Sequence, residues 1–360
     1  MTKENKGFKM LTGKAFLEAE FEQVEAIVKY IAYSQNITII AGQTGAGKST
    51  VALQMALSIA SGIQLFEYFE TKQTKVMLVR FEGEDDDCQK VFRKMLPYFE
   101  EKTQNMHWFN ENILIKIMDK SDEDFVDNWV KIENALIENN FFDGVLIIDN
   151  MYTSTEVEIQ KNDDLKSLLR TLSNLKRQYR LTPILIAHPI KGVMQDKDLR
   201  VDQIQGGKIL TNFVSSIVQM DLSTLSNDFR IMKITKAGRS EANQLHNIPF
   251  KLNIDYDNHI FIKGAVINNI EMHYENINQR WELKLIQELA KSKKLNIGTF
   301  SRTDLKSCIP EDYLGSHFSG NNIDTTITRF IDKLTSWGLI IRKKRDSYEL
   351  IVDEIESLTP

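Results

Sequence analysis

Short apolar runs that end in polar residues recur through the first half of the chain. They include "ITII" at 37–40, "VMLV" at 76–79, "VLII" at 145–148 and "PILIA" at 183–187. Runs of this length with such flanks are typical of buried strands. The segments between them carry helical patterns, most clearly the one in which leucines recur at helical spacing: Leu165, Leu168, Leu169, Leu172 and Leu175. Strands that alternate with helices predict an α/β fold with a mainly parallel sheet flanked by helices.

Two further segments have strand patterning and follow this alternating region. "FRIMKITK" (229–236) predicts one late strand, and 250–264 predicts a hairpin around "DYDNH". Both are expected to extend the sheet beyond its parallel part.

The C-terminal region changes pattern after a polar join, and we place a domain boundary near residue 275. "RWELKLIQELAK" and "SRTDLKSCI" predict two helices, with Ser301 as the cap of the second. A third, amphipathic helix is predicted from inward positions at alternating steps of four and three: Ile323, Ile327, Phe330, Leu334 and Trp337.

A hairpin is predicted to follow these three helices. Leu339 and Ile341 precede the charged "KKRD", and Tyr348, Leu350 and Val352 follow it with a period of two. The sequence therefore predicts one domain over 1–275 and a smaller one over 276–360.

Composition fits a folded, cytoplasmic protein. Of the 360 residues, 42% are hydrophobic and 26% are charged, and the 6 prolines do not form flexible linkers. The 2 cysteines, Cys88 and Cys308, lack metal-ligand spacing and are interpreted as reduced thiols. The N-terminus lacks the apolar core of a signal peptide, and no run reaches the roughly 18 apolar residues of a membrane span. No membrane association is expected.

The charge is unevenly distributed along the chain. The net charge is −5, yet residues 280–345 hold 13 Lys and Arg against 7 Asp and Glu, a surplus of 6 positive charges. A basic tail on an acidic body is an indication of nucleic-acid contact, although a solvated charged surface is the commoner cause of such a bias.

A phosphate-binding loop is the most specific motif. The sequence fits G-x-x-x-x-G-K-[ST] and lies between a predicted strand and a predicted helix. Backbone N–H groups in such a loop surround phosphates, the lysine reaches the β- and γ-phosphates, and the hydroxyl residue binds Mg²⁺. We therefore expect ATP with Mg²⁺ to bind at Gly42, Gln43, Thr44, Gly45, Ala46, Gly47, Lys48, Ser49 and Thr50.

Polar residues at the ends of the other strands supply the rest of the expected site. Asp149 ends its strand as a metal-holding carboxylate does, together with Ser49. Glu84 is preferred over Glu82 as the general base that polarises the attacking water. His188 is a candidate γ-phosphate sensor, and a purely structural histidine is the equally weighted alternative.

Taken together, the P-loop, "FEGED", "LIIDN" and "ILIAHPIKG" resemble the RecA-like ATPase core. Within that group the sequence is most similar to RepA-type and DnaB-type hexameric replicative helicases, over roughly residues 26–264. The resemblance implies a homo-oligomeric ring, with a hexamer favoured, and ATP bound between neighbouring subunits. It also implies a basic finger from the neighbour, for which Lys236 and Arg239 are the candidates, although they stand three residues apart where the family has two.

DNA contacts are implied by the same resemblance. The family's central loops follow the third and fourth predicted strands, and the first of them carries little basic charge here. The second loop contributes four cations whose alternative role is solvation: Lys191, Lys197, Arg200 and Lys208.

The C-terminal region resembles a winged-helix domain, which implies DNA binding. Its third helix would present Thr326, Arg329 and Lys333, and its hairpin would present the cations from Arg342 to Arg345. Tip cations of this kind give salt-dependent phosphate affinity, and protein contact is the alternative use of such a domain.

Three functions remain open at this level. The first is an ATP-hydrolysing, ring-forming DNA motor resembling the replicative helicases of plasmids or phages. The second is an ATP-dependent DNA-binding switch, a regulator or loader without processive unwinding. The third, a small-molecule kinase, leaves the C-terminal domain without a purpose.

Overall fold

A computed structural model describes residues 11–20, 23–81, 85–117, 128–151, 154, 162–189, 204, 206–239, 244–268, 270–273, 281–292, 299–318 and 323–351. Helices within these ranges lack the length and apolar content that crossing a bilayer requires. The chain begins with a short helix, α1 (Gly13–Glu18), none of whose side chains is buried. A small antiparallel pair follows, β1 (Ala26–Val28) and β2 (Ala32–Tyr33).

A nine-stranded sheet forms the body of the molecule, with the strand order β11-β10-β9-β8-β3-β7-β6-β4-β5. The six strands from β8 to β5 run parallel, and β9 to β11 continue the sheet antiparallel. In chain order the strands are β3 (Thr38–Gly42), β4 (Val76–Arg80), β5 (Ile113–Ile117), β6 (Val145–Asp149), β7 (Thr182–Ala187), β8 (Ser216–Leu222), β9 (Phe229–Lys236), β10 (Phe250–Asp255) and β11 (Ile260–Val266).

Helices cover both faces of this sheet. They are α2 (Lys48–Ser61), α3 (Asp85–Thr103), α4 (His107–Asn112), α5 (Asn128–Glu138), α6 (Asn162–Tyr179) and α7 (Gly207–Phe213). The first three share one hydrophobic core with one face of the sheet, and the last three share a second core with the opposite face. This is the layered α/β architecture that the alternating sequence pattern predicts, and it is RecA-like.

The central strands are apolar runs because they are buried on both faces. Every residue of β3, β6 and β7 is buried, as expected for parallel strands covered by helices. Helix α2 is also buried around nearly its whole circumference, from Val51 to Ala60. Its position between the sheet and α3, α4 and β11 explains why it is buried on nearly all sides.

The edge strand β11 is attached to α2 by one side chain. The buried Gln54 donates from Nε2 to the Phe261 carbonyl and accepts from the Phe261 N–H, both at 2.8 Å. On its other side Phe261 pairs with Ile254 of β10. Gln54 therefore satisfies backbone groups that an edge strand otherwise leaves unpaired.

The C-terminal residues build a separate hydrophobic core. Helices α8 (Trp281–Lys291), α9 (Arg302–Cys308), α10 (Glu311–Ser316) and α11 (Ile323–Ser336) pack with a three-stranded antiparallel sheet of order β12-β14-β13. The strands are β12 (Thr299–Phe300), β13 (Ile340–Lys344) and β14 (Ser347–Leu350). As expected, Ser301 caps α9, in a capping box with Asp304.

Several elements differ from the sequence-based expectation. Strands β5, β8 and β12 and helix α10 were not predicted. In the hairpin, Leu339 and Ile340 are buried while Ile341 is 46% exposed, so the inward phase of the first strand differs from the expected one. Leu339 lies before the strand, and its N–H donates to the Leu334 carbonyl of α11 at 3.0 Å, so alternation starts only at Ile340.

Candidate nucleotide site

The P-loop joins β3 to α2 in a conformation that requires glycine. Gly45 and Gly47 have φ of 83° and 81°, in the left-handed region that favours glycine. A Cβ on Gly42 would lie 2.2 Å from the Met220 carbonyl oxygen, and one on Gly47 would lie 2.6 Å from the Phe261 ring. Neighbouring strands therefore press against the loop at its start and end.

Lys48 and Ser49 open helix α2 and face the inside of the loop and the end of β6, respectively. The buried Lys48 donates from Nζ to the Gln43 carbonyl at 2.8 Å, which spans the loop. Ser49 donates from Oγ to Asp149 Oδ1 at 3.3 Å, although 100 residues separate them in sequence. The structure thus brings together the three residues expected to hold phosphate and metal.

The oxygen donors beside the loop fit Mg²⁺. A hydroxyl and a carboxylate lie within 3.3 Å of each other, and hard cations such as Mg²⁺ take oxygen ligands while retaining water. Asp149 is only 2% exposed, so its charge needs compensation. The Lys48 ammonium could serve a polyphosphate, and the Ser49 hydroxyl together with the Asp149 carboxylate could serve its cation.

Arg80 is a site residue that sequence reasoning missed. It ends β4 directly beside Asp149 in the sheet register, and its Nε lies 3.7 Å from Asp149 Oδ2. The Arg80 side chain is 11% exposed, which makes this a largely desolvated ion pair. A cation at this position compensates the carboxylate when no metal is bound.

His188 lies where the sequence predicted, immediately after β7. Its Nε2 is 3.0 Å from Asn150 Nδ2, and Asn150 follows Asp149 at the end of β6. The buried Asn150 therefore joins the ends of two neighbouring strands. The residue contacting the sensor candidate was not singled out in the sequence.

The candidate general base lies outside the described residues. This applies to Glu84, to its alternative Glu82, and to Lys191, Lys197 and Arg200 of the second expected DNA loop. Lys208 is described and is exposed near the start of α7.

The two finger candidates occupy different environments. Lys236 donates from Nζ to the carbonyls of Thr211 and Val214, both at 2.6 Å, and so caps the C-terminal end of α7. Burial lowers the pKa of Lys236. Arg239 is exposed beyond the end of β9 and forms no ion pair with another described residue.

Arg230 is a second residue that the sequence analysis missed. It lies on β9, and its Nε donates to the Gly45 carbonyl of the P-loop at 3.3 Å. Its Nη1 also donates to the carbonyls of Asn227 and Phe229, which fixes the guanidinium. Burial lowers the pKa of Arg230. Arg230 therefore attaches the P-loop to β9 at Gly45.

The strand order, the loop between β3 and α2, and the contact of Ser49 with Asp149 define a RecA-like P-loop ATPase. The sequence matches the family described as an AAA domain over residues 8–194, more than half of the chain, which therefore belongs to that family. No curated protein matches the sequence.

Solved structures with similar folds include a DnaB-like replicative helicase that was studied with its primase. The identity is 14%, the TM-score is 0.49, and the match covers 64% of this chain and 57% of the helicase. A KaiC-like protein from the archaeon Pyrococcus horikoshii OT3 is 16% identical, with a TM-score of 0.45 and coverage of 64% and 90%. The chain thus matches little more than half of the helicase's length.

Proposed function

We propose that this ATPase is a ring-forming DNA motor of the replicative-helicase type. The observation that carries the proposal is the convergence of strand ends at the P-loop. Asp149 and Asn150 end β6, His188 follows β7, and Asn150 contacts His188. The two chain segments expected to contact DNA leave from these same strand ends, so a change at the nucleotide can act directly on both.

Nucleotide chemistry in this proposal uses ATP and Mg²⁺. The loop N–H groups and Lys48 would hold the phosphates, while Ser49 and Asp149 would hold the metal, which polarises the phosphoryl oxygens. Glu84 is proposed as the base that orients and deprotonates the attacking water. His188, held by Asn150, is proposed as the γ-phosphate sensor.

Arg239 is the finger that we propose acts on the neighbour's ATP. Lys236 donates two hydrogen bonds of 2.6 Å to α7, and leaving them would expose the carbonyls at the helix end. Arg239 is exposed, and a guanidinium is suited to the charge of a phosphoryl-transfer transition state.

The C-terminal unit is proposed to be a winged-helix, DNA-binding domain that begins near residue 275. Helices α8, α9 and α11 and the β13–β14 hairpin have the order expected of that group, with β12 completing the small sheet. Exposed Arg342, Lys343, Lys344 and Arg345 lie on the hairpin.

An ATP-dependent switch is the second candidate, and one observation favours it. Lys236 contacts α7, so a two-cation finger of the helicase type would be reduced to one cation. A finger with one cation and a first DNA loop with little basic charge fit slow ATP hydrolysis. Such hydrolysis would control how long the protein stays assembled on DNA.

Steady-state ATP hydrolysis with and without single-stranded DNA tests these proposals, with Lys48→Ala as the blank. Strong stimulation by single strands supports a motor, and unwinding of a forked duplex is then the decisive assay. Slow turnover that is indifferent to single strands contradicts the motor and leaves the switch. The Arg239→Ala and Lys236→Ala variants separate the finger candidates, because only the former is expected to remove hydrolysis without lowering the melting temperature.

A further inference from the structure

We propose that the C-terminal unit binds the phosphate backbone of duplex DNA through the β13–β14 hairpin and not through helix α11. The contacts are Arg342, Lys344 and Arg345. The inference rests on the proposed DNA-binding role of this unit and changes where that role is located, since winged-helix domains commonly place their third helix in the major groove.

Helix α11 has an outward face with no surplus of positive charge. Asp324 and Asp332 lie on it beside Arg329 and Lys333, so its four charges cancel. Lys306 of α9 binds Asp324 at 2.8 Å, and the Lys333 ammonium lies 5.3 Å from the centre of the Trp337 ring. Carboxylates at these positions would face the negative charge of a DNA groove, which disfavours insertion of α11.

The hairpin presents the opposite charge balance. Four consecutive cations, Arg342 to Arg345, are all exposed, and Glu349 pairs with Lys343 at 2.5 Å. Arg342, Lys344 and Arg345 have no acidic partner among the described residues. Three unpaired cations within four positions form the kind of surface that gains affinity by displacing counterions from phosphates.

Arg302 fixes the orientation of this hairpin. Its Nη1 donates to Thr328 Oγ1 of α11 at 3.2 Å, and its Nε and Nη2 each lie 3.4 Å from the Tyr348 hydroxyl of β14. Its Nε is also 3.3 Å from Asp346 in the hairpin turn. The arginine therefore connects the turn to the helical part of the unit, so the cations stand on a rigid arm.

The hairpin surface suits a duplex better than a single strand. Proteins that bind single strands stack bases on exposed aromatic rings. Tyr348 and Trp337 are 2% and 1% exposed, and no exposed aromatic ring lies among the described residues of β13 and β14. Backbone recognition without base stacking predicts duplex binding that is independent of sequence and sensitive to salt.

The test measures duplex binding by the full chain with fluorescence anisotropy at several salt concentrations. Replacing Arg342, Lys344 and Arg345 together by Gln is expected to weaken binding at least tenfold, at about 150 mM salt, and to reduce the salt slope by about 2.7. The charge-matched control replaces Lys284, Lys291 and Arg329, which are exposed on α8 and α11, and it is expected to bind within about twofold of wild type.

A second variant tests the positioning role of Arg302. Arg302→Met releases the hairpin while leaving its three cations, so affinity is expected to fall with little change in the salt slope. Arg302→Lys, which keeps the charge without the planar fork, should restore only part of the affinity. A loss of slope equal to that of the triple variant would contradict positioning and make Arg302 a direct phosphate contact.

Three results would overturn the inference. Greater loss in the control would place the interface on the α8 and α11 surface. Unchanged binding by the hairpin variant would mean that its cations only protect an edge strand from pairing. Tighter binding of single-stranded DNA than of duplex DNA would contradict the proposal that the hairpin binds a duplex. A wild-type chain that binds no DNA would instead remove the proposed function of the unit, which stimulation of ATP hydrolysis tests independently.

Discussion

Asp149 is the residue around which the nucleotide site is organised. It is buried, it contacts Ser49 from the P-loop helix, and it faces Arg80 from the neighbouring strand. The apolar run before it and the P-loop motif made its position beside the loop predictable, because the carboxyl ends of parallel strands lie at one edge of the sheet. The contact with Arg80 was not predictable, since it depends on which strand lies next to β6 and in what register.

We expect Arg80 to compete with the proposed Mg²⁺ for the Asp149 carboxylate, which lies 3.7 Å from its Nε. Arg80→Gln is expected to lower the Mg²⁺ concentration for half-maximal ATP hydrolysis roughly tenfold, about 1.4 kcal/mol, a fraction of the Coulomb energy of unit charges about 4 Å apart. Magnesium titration of the ATPase measures it, with Lys75→Gln at the opposite end of β4 as the control. A higher magnesium requirement would show that Arg80 instead holds the carboxylate in place.

His273 is expected to make the free energy of unfolding depend on pH. Burial, with a smaller contribution from the charge of Lys251, lowers its pKa from 6.5 to about 4, and its Nδ1 is 2.9 Å from the Ser223 hydroxyl. Between pH 6.5 and about pH 4, the His273 side chain therefore binds a proton in the unfolded chain but not in the folded chain.

We expect the free energy of unfolding to fall as the pH drops below 6.5, by up to about 3 kcal/mol near pH 4. Urea unfolding at a series of pH values measures this fall. His273→Gln should flatten the profile over that range, whereas His107→Gln, at an exposed position, should retain it. Identical profiles for wild type and His273→Gln would assign the acid sensitivity to other groups.

At the scale of elements, the sequence predicted the uniformly apolar strands and the late strands β9 to β11, but it missed β5 and β8. β8 lies at the centre of the sheet but contains the buried polar residues Gln219 and Asp221, which interrupt the hydrophobic run. β5 lies at the sheet edge, directly after α4, and carries the exposed Ile115. The hydrogen bonds of Lys236 to the end of α7 were also not predictable from the sequence, because they depend on where α7 packs.

The attachment of β11 to α2 is a contact between elements whose loss should lower the free energy of unfolding. Gln54→Leu removes both hydrogen bonds to Phe261 and leaves a buried N–H and a buried carbonyl without partners. We expect the free energy of unfolding to fall by about 2–4 kcal/mol. Denaturant unfolding gives the value, and Gln64→Leu at an exposed position is the control. A loss below about 0.5 kcal/mol would mean that water replaces the amide.

At the scale of the whole molecule, α1 is a short helix with exposed apolar side chains. Phe16 and Leu17 are 56% and 84% exposed, and the helix buries no side chain. Contiguous exposed apolar side chains mark surfaces where another protein packs. In the proposed ring, we expect α1 to take part in the contact between copies.

Leu17→Asp is expected to shift the chain toward smaller assemblies, because a carboxylate cannot be buried in an apolar contact without a partner. Light scattering after size-exclusion chromatography, with and without ATP, measures the mass. Ile137→Asp, at a 54% exposed position on α5, is the matched control. An unchanged mass distribution for Leu17→Asp would remove α1 from the assembly interface.

In the proposed ring, Lys236 is bound to α7, so Arg239 is the finger candidate that remains for the neighbour's ATP. The loss of ATP hydrolysis in one subunit would then depend on which residue is replaced in the subunit next to it. A Lys48→Ala subunit cannot hydrolyse ATP at its own P-loop, but its Arg239 can still act on the ATP of the neighbouring subunit. An Arg239→Ala subunit has an intact P-loop and needs the arginine of a neighbour for hydrolysis. Two preparations, each inactive alone, should therefore regain hydrolysis when mixed, because some junctions unite a working loop with a working arginine.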